Sequence, residues 1–151
     1  MDQTELLQQL KDFLQNEPAC VETLACLKPG AEVQISVAET LHIAVSYGNN
    51  EVQILEEESS KADFIFHSSP SAIETLINQK GLTPAQLGIQ FLKQIVAQEI
   101  KVSMPVSVFH ISRKGYLDIL KVGGMEFLNE LKKMGLTNIP KILAALKKLR
   151  R

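Results

Sequence analysis

Side chains able to do covalent or metal chemistry are few in this chain, and their spacing brings none of them together. His42, His67 and His110 lie far apart, and none has a second ligand at the short separations that zinc sites use. Cys20 and Cys26 are six residues apart, which is neither a redox pair nor a metal-binding pair, so they read as small buried residues rather than reactive thiols. The run Glu56-Glu57-Glu58 lacks the further oxygen ligands a calcium loop would place around it. No serine occupies a nucleophile-elbow pattern, and Gly123-Gly124 lacks the third glycine of a dinucleotide-binding turn. The sequence nominates no catalytic residue, no metal ligand and no cofactor, and a non-enzymatic protein is the expectation.

The apolar residues are more informative. Thr83-Pro84-Ala85-Gln86 is a helix start, with Thr83 as cap, Pro84 at the first position and Gln86 reaching back. The helix that follows carries Leu87, Ile89, Phe91, Leu92, Ile95 and Val96, an apolar surface wider than one stripe. Two readings follow from that width. The helix packs on a sheet as ordinary core, or part of its surface lines a cavity for an apolar ligand, a kind of site that needs shape and few polar groups.

The elements that must position this helix are legible from periodicity. Leu6, Leu7, Leu10, Phe13 and Leu14 recur at helical spacing behind Asp2, and a short helix follows Pro18. The period then changes to two through Val33-Ile35-Val37, Leu41-Ile43-Val45-Tyr47 and, after the turn at Gly48-Asn49-Asn50, Val52-Ile54. These predict a three-stranded antiparallel meander with one wet face, on which His42 would be solvated. A fourth strand is expected at 62–67 and another at 99–104, with helices after Ser69-Pro70 and Thr83-Pro84 between them. Residues 106–111 read as a further strand, 116–122 as a strand or helical turn, and 125–134 as a helix. The fold class is α+β, a mainly antiparallel five-stranded sheet covered by helices.

The chain has 151 residues, 45% of them apolar and 22% charged, which suits one globular domain. No apolar run reaches membrane-spanning length, and the acidic start Met1-Asp2-Gln3-Thr4-Glu5 is unlike a signal peptide. A cytoplasmic protein, peripheral to membranes at most, is expected. The net charge of −1 conceals a division. Residues 1–131 hold nine cations against all 17 anions, whereas Lys132, Lys133, Lys141, Lys147, Lys148, Arg150 and Arg151 follow the last acid, Glu130. That division argues against nucleic acid as a partner. The chain divides into a domain at 1–138 and a basic amphipathic helix at 139–151, whose apolar side is Ile139, Ile142, Leu143, Leu146 and Leu149. Three roles suit that helix: docking on the domain, binding a partner protein, or lying on an anionic membrane through Lys141, Lys147, Lys148, Arg150 and Arg151.

The order of elements, with the stretches Ala62-Asp63-Phe64-Ile65-Phe66, Ala72 to Ile77, Gln79 to Pro84 and Glu99 to Val102, resembles the sterol carrier protein family of small lipid-binding domains. The resemblance implies a five-stranded sheet covered by helices and enclosing an apolar tunnel. Leu87, Phe91, Leu92 and Ile95 would face that tunnel with Ile73, Leu76 and Ile77, Phe64 and Phe66 would form its floor, and Val102 and Met104 a wall. The Gly123-Gly124 step or the 1–15 helix would supply the movement that ligand exchange requires. The sequence departs from the family at Met104-Pro105, where a glycine is common, and in its longer basic tail. It ends Leu149-Arg150-Arg151 rather than in a peroxisomal address, which favours a cytoplasmic setting. Some bacterial relatives hold isoprenoid-quinone precursors as accessory proteins. The implied function is binding and transfer or presentation of a fatty acyl, sterol or isoprenoid-quinone lipid. The alternative is a protein-interaction module with a filled core, accessory to a lipid-related or quinone-biosynthesis enzyme.

Overall fold

The helix starts that the sequence announces at Asp2, Ser69 and Thr83 are built as side-chain caps, and the one at Pro18 rests on the proline alone. The Asp2 carboxylate accepts from the Glu5 N–H at 2.8 Å and opens helix α1, Gln3–Asn16. Pro18 begins α2, Pro18–Leu24. Ser69 caps α3, Pro70–Ile77, and Thr83 with Gln86 forms the reciprocal capping box of α4, Pro84–Val96. The computed structural model describes residues 2–148.

The strands are β1 Val33–Val37, β2 Leu41–Gly48, β3 Glu51–Leu55, β4 Phe64–Ser68 and β5 Ile100–Ser103. The β2–β3 turn has positive φ at both Asn49 and Asn50, which matches the right-handed twist of a hairpin with a two-residue loop. The sheet order is β3-β2-β1-β4-β5. Three of its pairings are antiparallel, but β1 and β4 run parallel, so the sheet is mixed. The reason is topological: after β3 the chain crosses back over the sheet and inserts β4 beside β1, placing Phe64 against Val33 and Phe66 against Ile35.

That crossing covers the face expected to be wet. Gln34 and Ser36 are buried and linked, Gln34 Nε2 donating to Ser36 Oγ at 2.8 Å. Ser36 Oγ also lies 2.8 Å from His42 Nδ1, and His42 Nε2 lies 3.2 Å from a Glu58 carboxylate oxygen. The Ser59 N–H donates to Gln34 Oε1, and the Ser59 hydroxyl donates to Glu32. His42 is therefore a link between strand and loop rather than a solvated surface residue, and the glutamate run is held by it.

Residues 108–112 are helical where a strand is expected at 106–111, and of the two readings for 116–122, strand or helical turn, the structure takes the helical one. Ser107 caps the short helix α5, Val108–Ser112, and α6 runs Tyr116–Lys133, taking in the helix expected at 125–134. The alternation at 106–111 is too short to outweigh the cap at Ser107, and Gly115 then ends any extended run. Gly115 has φ +91°, and a Cβ there would fall 2.0 Å from the Cys26 carbonyl oxygen, so α6 begins in direct contact with the segment after α2. Helix α7 spans Ile139–Lys147 and packs against α5.

Asp63 ties these parts together. Its side chain is completely buried. The carboxylate accepts from the Glu32 N–H at 3.0 Å, from Lys114 Nζ at 2.9 Å and from the Tyr116 hydroxyl at 2.7 Å, while its own N–H donates to Glu32 O. Removing one member of a buried, hydrogen-bonded ion pair strands the other, which costs about 3 kcal/mol or more. Asp63→Ala is expected to lose stability of that order in urea denaturation, with Asp63→Asn intermediate because it keeps the shape and part of the bonding.

Candidate functional site

The helices stand off the inner face of the sheet and leave a cavity of about 390 Å³. Its floor is Val33, Ile35, Val45, Phe64, Phe66 and Ile100 from the strands. α1 contributes Leu10, Phe13 and Leu14, and α2 with the following turn contributes Cys20, Thr23, Leu24 and Leu27. Ile73, Leu76 and Ile77 of α3 and Leu87, Phe91 and Leu92 of α4 close one side, and Tyr116, Ile119, Leu120 and Phe127 of α6 another.

The wide apolar surface of α4 now has a physical account. Ala85 is the single buried residue of that helix, and Leu87, Phe91 and Leu92 are only half-buried. Side chains of a helix packed flush on a sheet would be buried; these face a space. Aromatic rings run through it as a chain of contacts. Tyr116 meets Phe64 edge-on at 5.0 Å between centroids, Phe64 stacks beside Phe66 at 6.0 Å, and Phe91 meets Phe66 edge-on at 5.3 Å. The contacts join α6 to α4 across the floor.

The polar side chains on the wall are already engaged with the protein. Thr23 Oγ1 donates to Ala19 O at 2.7 Å, Ser68 Oγ to Ser69 O at 2.9 Å, and the Tyr116 hydroxyl to Asp63. Burial first, then the Asp63 contact, raises the Tyr116 phenol far above its ordinary value, so it stays neutral. Burial and the nearby Glu17 push the Cys20 thiol up to about 12, leaving it a poor nucleophile at neutral pH. Among the described residues no charged side chain lines the cavity. Such a wall supplies area and shape for an apolar guest.

Eight of the residues expected to line a tunnel meet at this cavity: Phe64, Phe66, Ile73, Leu76, Ile77, Leu87, Phe91 and Leu92. Three do not. Met104 is completely buried within the core, Val102 packs against that core opposite Phe66 in the β4–β5 register, and Ile95 is half-buried on the last turn of α4, away from the lining. Sequence reasoning missed the contributions of α1, α2 and α6. The apolar stripe of α1 was visible, but nothing local shows that it faces a space, and α6 was divided between strand and helix readings. The exposed cations Lys141, Lys147 and Lys148 stand on α7 or just after it; Arg150 and Arg151 lie outside the described residues. Among the described residues no cluster of three His, Cys, Asp or Glu could hold a metal, and no helix is long and apolar enough to cross a membrane.

No protein-family model and no curated protein matches the sequence. Among solved structures, a chain named "UbiJ-SCP2 Ubiquinone synthesis protein" is similar over 67% of this chain and 80% of its own, with 19% sequence identity and a TM-score of 0.45.

The raised thiol of Cys20 has a consequence for stability. A group whose pKa is higher in the folded state than in the unfolded chain contributes stability that is complete below the unfolded value and is lost as pH rises toward the folded one. For Cys20 that window runs from 9.0 to about 12. The melting temperature is expected to fall as pH rises through this range, and Cys20→Ala should make the fall shallower.

Proposed function

We propose that the chain binds one apolar lipid in this cavity and carries or presents it without transforming it. The observation that supports the reading is the cavity itself: about 390 Å³ bounded by aliphatic and aromatic side chains, with its hydroxyls engaged and its thiol protonated. The volume lies within the range of small-molecule sites. Burying about 300 Å² of apolar ligand surface contributes roughly 7 kcal/mol, enough for binding near the micromolar level before the cost of ordering the ligand. A fatty acyl chain, a sterol or the tail of an isoprenoid quinone all present such a surface. The name of the structural neighbour adds quinone synthesis to the settings in which a carrier of this type would serve. An interaction module with a filled core does not account for an open cavity of this size.

Loading such a carrier requires contact with a membrane, and the charge division supplies a means. Lys141, Lys147 and Lys148 are exposed on a segment without acids, suited to an anionic lipid surface. The protein would then work from the cytoplasm, peripheral to the bilayer.

Native mass spectrometry of gently purified protein, followed by solvent extraction, is expected to show a stoichiometric lipid-sized excess. A mass that stays clean after incubation with palmitate, cholesterol and ubiquinone would overturn the reading. Phe91→Asp puts a carboxylate into the apolar wall and is expected to weaken uptake at least about tenfold while circular dichroism stays unchanged. Sedimentation with anionic vesicles should carry the protein down, and deletion of 139–151 should abolish this; binding that survives the deletion would remove the C-terminal segment from the role.

A further inference from the structure

The two halves of α6 are held very differently. The first is anchored: Gly115 lies against the Cys26 carbonyl, and the Tyr116 hydroxyl donates to the buried Asp63. The second follows a break at Gly124, where φ is +66° and ψ −163°, a conformation essentially restricted to glycine. From Gly124 to Lys133 Leu131 is the only buried residue, and Met125 is 64% exposed. Leu131 is the one buried residue along the whole of α6, so burial is slight in both halves, and the half without the Asp63 anchor is the one able to open locally at low cost.

Phe127 is the side chain that this half presents to the cavity, and its seat is made of two glycines. A Cβ on Gly88 of α4 would fall 2.7 Å from Phe127 Cε1, and one on Gly123 would fall 2.8 Å from Phe127 Cβ. Phe127, Gly88 and Gly123 all line the cavity. The ring fills a notch in the wall that any other residue at position 88 would reduce.

The geometry points to Phe127 as the gate of the cavity: a removable piece of its wall, carried on a segment hinged at Gly124, that withdraws from the Gly88–Gly123 notch to admit or release an apolar ligand. The gate rests on the reading of the cavity as a ligand site. Hinges of this kind are a few residues that absorb a backbone change while the elements on either side stay rigid. Here the rigid side is the Asp63-anchored half of α6, and the moving side is the segment from Gly124 onward.

Cys20 lines the same cavity and is buried, so its alkylation reports opening with no ligand present. The experiment follows N-ethylmaleimide labelling of Cys20 in the full-length Cys26→Ser protein, under native conditions and at a rate compared with global unfolding. Phe127→Ala is expected to raise the labelling rate about tenfold, by removing the side chain that closes the wall. Gly88→Ala is expected to raise it as well, because its methyl displaces the ring, and to add nothing when Phe127 is already alanine. Folded variants labelled at the wild-type rate would overturn the gate, as would a Gly88→Ala effect that persists without Phe127. If Phe127→Ala proves too unstable, Gly88→Ala in the native background decides between the same two results. Failure of lipid binding in the mass measurement would remove the ligand while leaving the labelling result intact, so the two ideas fail separately.

Discussion

A carboxylate with no exposure to water can remain charged only where the protein replaces its hydration shell, and Asp63 is in that position. Its partners come from two distant parts of the chain, the segment before β1 and the short stretch between α5 and α6. The Glu32 N–H precedes β1, Lys114 closes the turn after α5, and Tyr116 opens α6. Satisfying Asp63 therefore places the start of β4 beside the start of β1 and brings the C-terminal helices onto the domain. The parallel β1–β4 pairing and the position of Tyr116 over Phe64 both accompany this one anchored group.

The cavity shares Tyr116 with that anchor. Apolar side chains normally collapse onto one another, since a space within the core forfeits contacts on every side. In this chain α4 is held at a distance from the sheet. Phe91 reaches Phe66 edge-on, and α6 wedges in from Tyr116 to Phe127. The missing side chains at Gly88 of α4 and Gly123 of α6 make room for the Phe127 ring where the two helices meet. The result is a wall of packed aliphatic and aromatic groups with space left on one side of it, which an apolar guest would fill.

Charge and shape are divided along the chain in the same way. The acidic portion builds the sheet, the cavity and the loop secured by His42 and Glu58, and the basic portion forms the end of α6 and α7. The segment bearing the excess positive charge thus follows directly from the half of α6 that closes the cavity. In a carrier, the surface attracted to anionic lipid and the part of the wall able to move would be covalently continuous.

Much of this protein was legible without coordinates, wherever local chemistry decides the outcome. The caps at Asp2, Ser69 and Thr83, the turn at Asn49-Asn50 and the alternation of β1 to β3 are choices made within a few residues, and the helices and strands began where those signals placed them. The width of the apolar surface on α4 was legible too, although not which of its residues would face a space. What the tertiary structure alone decided is contact between residues far apart in the chain. The insertion of β4 beside β1, the role of His42 beneath the glutamate run, the exclusion of Ile95, Val102 and Met104 from the cavity, and the approach of Phe127 to Gly88 all belong to it. Periodicity reports which face of an element is apolar. Whether that face meets a neighbour or an opening depends on where a buried group such as Asp63 pulls the other elements, and no local pattern carries that information.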